Sequence, residues 1–259
     1  MRLFSLIFGG RREPPAESSE VVGPGEAEPC EEIIVRSAQR SDAPFELVTA
    51  AGAYAEKTWR ELCGRPDVIP VLLGDNDTVD RTLEALSYNS DSFERIQEIG
   101  QGLDVRQWIE QRIEDEPEYY TFDMTTSGDA GVSPLFYPAY DVLTRKPRPE
   151  VFFGLIPVGS SWLVPAYLKI GGWNDCPDAS VHVAFFRSWF ERYGAEVVTV
   201  ANDVVEFHVT RPPRTMEQAQ ELAREQYVYC TDIVEQGVGT VGNLAATLLG
   251  SDRWFFWWD

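Results

Sequence analysis

The sequence predicts an α+β protein, in which a C-terminal ferredoxin-like split β-α-β domain packs against an N-terminal α/β half. The first observation is the order of patterns from residue 165 onward: strand, helix, strand, strand, helix, strand. The second is the length of 259 residues, which allows two packed units with a real core. The third is an aromatic last strand, WFFWW, which is apolar on both faces and therefore needs cover on both.

Composition divides the chain into three stretches. Gly, Pro, Glu and Ser dominate its beginning, so residues 1–31 are predicted to form a flexible leader that buries too little apolar area to offset ordering. Residues 32–144 are predicted to form the N-terminal half, and residues 150–259 the C-terminal domain. The basic, proline-containing segment TRKPRPE at 144–150 separates them.

Apolar periodicity gives the elements of the N-terminal half. The predicted elements are a short strand at 32–38, a helix over 43–64, a buried strand at 67–75, and helices over 75–88 and 102–116. In the 43–64 helix, Val48, Ala55 and Trp59 recur at helical spacing. Thr78 is the predicted N-cap of the helix that follows the buried strand.

The C-terminal elements are marked by turn and cap residues. The predicted elements are a hairpin over 151–170, a helix from Asp178 to Tyr193 closed by Gly194, a hairpin turning at Asn202-Asp203, a helix opened by a Thr215-x-x-Gln218 capping box, a short helix capped by Thr240, and a last strand, RWFFWWD. On the second hairpin, Glu206 and His208 are predicted to form an exposed pair.

The last strand is predicted to be a buried core element. Alternation places Trp254, Phe256 and Trp258 on one face and Phe255 and Trp257 on the other. Five aromatic side chains of roughly 200 Å² each give on the order of 25 kcal/mol of gross burial energy, an upper bound. Asp259 is expected to accept hydrogen bonds from an arginine or from loop N–H groups and so to lock the strand. The structural residues are therefore Trp254, Phe256, Trp257, Trp258 and Asp259.

Charge limits the classes of partner. Acidic residues outnumber basic ones 42 to 22, a formal charge of −20, which argues against binding a nucleic-acid backbone. The stretch from Asp91 to Asp123 holds ten acidic and three basic residues. Such a stretch is typical of a solvated helical face, or of a docking surface for a basic protein partner.

Two loops beside the sheet carry the candidate functional residues, GGWNDCP at 171–177 and YCTDIVEQG at 229–237. The residues that we single out on them and on the helix between them are Trp173, Asn174, Asp175, Cys176, His182, Cys230, Asp232 and Gln236. No catalytic residue is assigned, because these residue types fit several chemistries.

Three chemistries could use these residues, and a purely structural role is the alternative to each of them. Cys176, His182 and Cys230 are possible zinc ligands but lack the paired short spacing of a structural site, so neither a metal nor another cofactor is predicted. Cys176 or Cys230 with His182 as base would form a nucleophile, oriented by Asp175 or Asp232. Asp232 with Glu235 or Asp259 would form an acid–base pair. The structural interpretation is that the histidine is a satisfied half-buried side chain and the cysteines small hydrophobic ones.

Several motifs of the C-terminal domain together carry a family resemblance. They are Gly172-Trp173-Asn174-x-Cys176-Pro177, Trp189…Tyr193-Gly194-Ala195, Arg211-Pro212-Pro213, Tyr229-Cys230-x-Asp232, Gln236-Gly237 and Phe256-Trp257-Trp258-Asp259. With them, about residues 165–259 resemble the bacterial domain-of-unknown-function family numbered 4253. The resemblance implies a bacterial cytosolic protein, and it carries over no activity and no catalytic residue.

These observations lead to three functional hypotheses. The leading one is a non-catalytic cytosolic interaction protein, immunity- or adaptor-like, that neutralises a basic partner. The alternative is a hydrolase-type enzyme using the loops at 172–176 and 229–236, and the second alternative is an acidic mimic of nucleic acid. A cytoplasmic location is expected because the four cysteines lie far apart and residues 3–8 are too short for a secretory signal. No membrane association is expected, since no run approaches the roughly 20 apolar residues of a membrane helix.

Overall fold

A computed structural model describes residues 35–127 and 135–259, and within them seven β-strands form one mixed sheet. The strands are β1 (Arg36–Ala38), β2 (Glu46–Ala50), β3 (Ile69–Gly74), β4 (Val151–Ile156), β5 (Ala195–Ala201), β6 (Val204–Val209) and β7 (Arg253–Trp257). Their order across the sheet is β1-β2-β4-β3-β5-β6-β7. The predicted leader at 1–31 lies outside the described residues.

Helices of five residues or more complete the described fold. They are α1 (Ala55–Leu62), α2 (Asn76–Tyr88), α3 (Phe93–Gly102), α4 (Val105–Asp115), α5 (Val164–Leu168), α6 (Ala179–Tyr193), α7 (Met216–Tyr229) and α8 (Val241–Leu248), with a π-helix at Ile233–Val238. Within residues 35–127 and 135–259, no helix combines the length and apolar character needed to cross a bilayer.

The predicted α+β class is confirmed, whereas the ferredoxin-like detail is not. A split β-α-β unit keeps helix-connected strands parallel, with another strand between them. Here β6 and β7, which α7 connects, pair directly and antiparallel. β3 lies between β4 and β5, pairing antiparallel with the first and parallel with the second. One sheet thus contains strands from both sides of the segment 144–150, and the division into two domains there stays a prediction.

The cap residues of the C-terminal helices are confirmed. Gly194 ends α6 with φ of 60°, a left-handed conformation that favours glycine. The side chain of Thr215 accepts a hydrogen bond from the backbone N–H of Gln218 at 3.3 Å and opens α7. Thr240 does the same for α8 through the N–H of Asn243 at 3.0 Å.

The predicted helix over 43–64 is wrong in its first part. Glu46–Ala50 is strand β2, which pairs with β1 on one side and β4 on the other, and the helix α1 begins only at Ala55. A short apolar run fits a buried strand as well as a helix, so periodicity alone did not separate them.

The predicted N-cap of α2, Thr78, is also wrong. The cap of α2 is Asp75, whose Oδ1 accepts the N–H of Thr78 at 3.0 Å.

The predicted hairpin over 151–170 is wrong in its second strand. Both edges of β4 are occupied by strands from the N-terminal half, β2 and β3, so no edge is left for residues 162–170. Val164–Leu168 instead forms the short helix α5. Its Pro165 stands in the first turn, where a missing backbone N–H breaks no helical hydrogen bond.

The predicted exposed pair on β6 is also wrong. Glu206 is fully buried, and both its carboxylate oxygens accept the backbone N–H of Tyr137, at 3.0 and 3.1 Å. His208 is half-buried beside Trp59 of α1, with ring centroids 5.6 Å apart. The reason is that α1 and the short 3₁₀ turn Tyr137–Ala139 cover this face of the sheet.

The aromatic last strand is buried on both faces. Trp254, Phe256 and Trp258 join the largest core cluster, with side chains of α6, α7 and α8. Phe255 and Trp257 form a small cluster on the opposite face with Val204 and Tyr137. β7 lies at the edge of the sheet, yet its side chains belong to the interior.

Candidate functional site

The two predicted loops meet at Asp259. The side-chain Nδ2 of Asn174 donates to the Asp259 backbone oxygen at 3.0 Å. The Asp259 N–H donates to Oδ2 of Asp232 at 2.9 Å, and Oδ1 of Asp232 accepts Nε2 of Gln236 at 2.8 Å. The structure therefore brings Asn174 and Asp232 together around Asp259, and Gln236 joins the group through Asp232. Of the donors predicted for Asp259, these contacts contain a loop N–H group, that of the Asn174 side chain, and no arginine. The bond to Asp232 runs the other way, with Asp259 as the donor.

Local backbone geometry explains how the first loop reaches Asp259. Asn174 has φ of 47°, in the left-handed region that asparagine tolerates better than most side chains. The N–H of Cys176 donates to the Trp173 carbonyl at 2.9 Å and closes a tight turn around it. This turn projects the Asn174 amide towards the end of the last strand.

Asp175 faces away from this group and towards the N-terminal half. It forms an ion pair with Arg112 of α4 and accepts the hydroxyl of Thr231 at 3.4 Å. Nε of Arg112 also donates to the Tyr120 hydroxyl at 2.7 Å. Asp175 therefore ties the loop to α4 and contacts Arg112 and Thr231, whereas the imidazole of His182 has its polar side-chain contacts with Cys176 and Tyr229.

Cys176, His182 and Tyr229 form a buried chain of polar contacts. The Cys176 sulfur lies 3.5 Å from Nε2 of His182, and Nδ1 of His182 lies 2.5 Å from the Tyr229 hydroxyl. His182 and Tyr229 are fully buried, and Cys176 is 8% exposed. A neutral imidazole offers one donor and one acceptor, so it can satisfy both neighbours at once.

Burial holds all three of these groups in their neutral forms. It lowers the pKa of His182 to about 3 and raises the pKa values of the Cys176 thiol and the Tyr229 hydroxyl well above their usual ranges. A cysteine nucleophile acts as the thiolate, which a nearby imidazolium stabilises. The environment of Cys176 favours the opposite protonation state, so the contact has the electrostatics of a core hydrogen-bond network.

Cys230 lies under the last strand. Its thiol donates to the Trp257 carbonyl at 3.1 Å, and the side chain is fully buried. Burial raises the pKa of this thiol as well. Within the described ranges, no three His, Cys, Asp or Glu side chains are grouped so that they could hold a metal ion.

A cleft of about 650 Å³ opens beside the loops, between α2, residues 168–173, the β5–β6 turn and residues 258–259. Trp173 and Trp258 contribute aromatic walls, and Arg81, Lys169 and Asp203 contribute charges of both signs. Cys176 and His182 are not among the described residues that line this cleft. The buried polar chain and the open cleft are therefore separate features.

A second open feature lies on the N-terminal helices. All ten acidic residues between Asp91 and Asp123 are exposed. Next to them, a groove of about 770 Å³ runs between α4 and the pair α6 and α7. The sequence showed the apolar stripe on α4 but not the opposite wall, because that wall is formed by helices about 75 and 110 residues further along the chain.

Comparison with known families finds a match over the C-terminal part of the chain. Residues 152–259 match the model of a family described as Domain of unknown function (DUF4253). The chain therefore matches this family over its C-terminal part, which is less than half of its length. The match begins earlier than the resemblance seen in the sequence and includes all of β4 except its first residue. No curated protein and no solved structure matches the chain at the significance required.

The matched residues contain both loops and the chain of Cys176, His182 and Tyr229. The acidic helices α3 and α4 lie outside the matched residues. Tyr229 is the residue that sequence analysis missed as the partner of His182. It stands directly before Cys230 in one of the motifs of the domain, which is the signal that could have identified it.

Proposed function

We propose that this protein is a non-catalytic interaction protein, immunity- or adaptor-like, that binds a basic protein partner through its acidic helical face. The observation that carries the proposal is the exposure of all ten acidic side chains between Asp91 and Asp123. Of the three arginines in this stretch, Arg95 pairs with Glu98 at 3.0 Å and Arg112 pairs with Asp175. The acidic face therefore keeps a large uncompensated negative charge.

Such a face acts mainly on the rate and selectivity of association with a partner. Clustered charge of one sign steers an oppositely charged partner towards the surface and suppresses wrong partners. The effect weakens with salt, because the Debye length shortens from about 30 Å at 0.01 M to about 10 Å at 0.1 M ionic strength. Salt-sensitive binding to a basic partner is the behaviour that the proposal requires.

The test compares two variants of equal charge. In the face variant, Glu110, Glu114, Asp115 and Glu118 become amides. In the control variant, four exposed acidic residues elsewhere become amides, namely Glu61, Asp67, Asp77 and Asp252. The tagged proteins are used at low salt to capture partners from an extract of the native host, and the amount of each captured protein is measured.

We expect the wild-type protein and the control variant to retain the same basic protein in stoichiometric amount. The face variant should retain at least about tenfold less of this partner, because removing four charges from one cluster weakens both electrostatic steering and direct contact. Equal loss in both variants would show a general charge effect instead. Recovery of no stoichiometric partner by the wild-type protein would count heavily against the proposal.

The 3.5 Å contact between Cys176 and His182 is the observation that favours the hydrolase alternative. The geometry supports this alternative less well, because burial opposes a thiolate there and Asp232 is engaged with Asp259 instead of the imidazole. The nucleic-acid mimic is an outcome of the same capture experiment. In that case the retained partner would be a nucleic-acid-binding protein that DNA displaces.

A further inference from the structure

The groove beside α4 has an apolar floor that the fold leaves open. None of the α4 residues is fully buried, although the helix carries an apolar stripe. The floor of the groove consists of the apolar side chains of Leu103, Val105, Ile109, Ile113, Phe122 and Val228. Most helices of a folded protein press such a stripe onto a core. Here part of the stripe faces a space of about 770 Å³.

The wall formed by α6 and α7 is close to neutral. Arg187 pairs with Glu191 at 2.9 Å, and Arg192 pairs with Glu225 at 2.7 Å. Arg224 lies over the ring of Phe122, 5.9 Å from its centroid. The cations of this wall are therefore largely engaged with groups of the protein itself.

The wall formed by α4 is net negative. Asp104 and one cation, Arg106, line the groove at the start of this wall. Its rim carries Glu110, and Glu114, Asp115 and Glu118 continue the acidic surface beyond the groove. Within the described part of the chain, these four carboxylates take part in no ion pair. A segment that lies along the groove would meet an apolar floor below it and a negative wall on one side.

The spacing of the floor residues indicates the shape of that segment. Val105, Ile109 and Ile113 are four residues apart along α4 and form one stripe. At 1.5 Å per residue, the stripe is about 12 Å long, which is two to three turns of a facing helix. Helices that dock in such grooves do so with apolar anchors at i, i+3, i+4 and i+7.

We propose that this groove receives the apolar face of a basic amphipathic helix, with the basic face of that helix turned towards α4. The inference rests on the proposed function and names the form of the partner's binding segment. Charge complementarity selects this occupant, because the negative wall disfavours an acidic helix and the apolar floor gives no advantage to a fully polar one.

The probe is a fluorescein-labelled synthetic helix of leucine and lysine with all its leucines on one face. Its matched control has the same composition in an order that spreads the leucines around the helix. Binding is measured by fluorescence anisotropy with the full chain. We expect the amphipathic peptide to bind at least about tenfold more tightly than the scrambled peptide, since only the former can place adjacent anchors in the groove.

Two groove variants locate the site. Ile109→Gln makes the half-buried floor polar, and Gln101→Trp fills the groove from an exposed position without touching the core. Each should weaken the amphipathic peptide at least about fivefold and leave the scrambled peptide unchanged, as the loss of an apolar anchor predicts. Glu61→Lys on α1 is the control on another surface. It should lower the affinity for both peptides only by the small, equal amount that its added positive charge causes.

The outcomes separate the two proposals. Equal binding of both peptides, or unchanged affinity in both groove variants, would overturn the groove as the docking site. If the face variant still loses its captured partner in that case, the proposed function stands without the groove. If the wild-type protein binds neither peptide, the groove proposal fails, and the capture experiment alone decides the proposed function.

Discussion

The last strand β7 and the helix α4 both carry stripes of large apolar side chains, but only the strand buries its stripe completely, whereas the α4 stripe is half-buried against the main core. Trp254 and Phe256 are 1% and 0% exposed, whereas no residue of α4 is fully buried. The difference lies in the surrounding layers. β7 has packed side chains against both faces, while α4 contacts the body on one side and borders an open groove on the other. An apolar pattern thus gives the direction of a face, and the neighbouring elements decide whether that face is core or binding surface.

The aromatic packing around β7 shows why its stripe is closed. The ring of Phe256 stacks on Trp189 of α6, with centroids 5.1 Å apart and planes at 9°. Phe207 and Tyr229 meet the same ring edge-on at 5.8 and 5.2 Å. Such pairs contribute about 0.5–1.5 kcal/mol each beyond the burial of their area. The region is built for stability and leaves no space for a ligand at that ring.

The largest expected effect tests this contrast directly. Phe256→Ala should lower the free energy of unfolding by about 3–5 kcal/mol, because it leaves a cavity among rigid aromatic rings. Ile109→Ala on α4 should cost about 1 kcal/mol or less, since a half-buried side chain keeps part of its exposure to water. Urea unfolding followed by tryptophan fluorescence measures both. Similar losses in the two variants would show that α4 is as much a part of the core as β7.

A smaller effect concerns the buried carboxylate on the neighbouring strand. Burial raises the pKa of Glu206 from 4.5 to about 7, although the N–H groups of Phe136 and Tyr137 and the charge of Arg253 favour the ionised form. The folded state then binds a proton more tightly than the unfolded state. Between pH about 4.5 and about 7, stability therefore falls as pH rises, by about 3 kcal/mol in total.

Comparison with Glu206→Gln isolates this contribution. The pKa of the buried His182 is lowered, so the histidine shifts stability in the opposite sense over an overlapping range, and it does so in both proteins. The difference in unfolding free energy between the wild-type protein and the variant should fall as pH rises from about 4.5 to about 7. A difference that stays constant over this range would mean that Glu206 titrates normally and that its surroundings are wetter than the structure indicates.

The sequence predicted elements best where a cap or turn residue marks an end. Gly194, Thr215 and Thr240 each satisfy backbone groups locally, so their roles do not depend on the rest of the fold. It failed where pairing decides the structure. Residues 46–50 become a strand because β1 and β4 flank them, and residues 164–168 become a helix because β4 has no free edge. Neither fact is contained in the local pattern.

The site shows the same division. Residue types and loop positions singled out Asn174, Cys176 and Asp232 as candidates, because turns and motif residues are local features. The partners of these residues are set by the path of the chain, which brings Asp259 to Asn174 and Tyr229 to His182. The protonation states depend on burial, which no spacing reveals. Glu206 illustrates this most clearly, since strand alternation placed it on an outer face that α1 and residues 137–139 in fact cover.

The smallest expected effect concerns the polar lock at the end of β7, beside its aromatic core. Asn174→Ala removes the hydrogen bond to the Asp259 backbone oxygen, and Asp232→Ala removes the acceptor of the Asp259 N–H. Each should cost about 1 kcal/mol, since both bonds are partly exposed to water. The double variant should lose less stability than the sum of the two single losses. Both bonds hold the same residue, and the second bond is already weakened once the first is gone. Strict additivity in urea unfolding would mean that the two loops grip Asp259 independently. The aromatic packing alone would then fix the end of the strand.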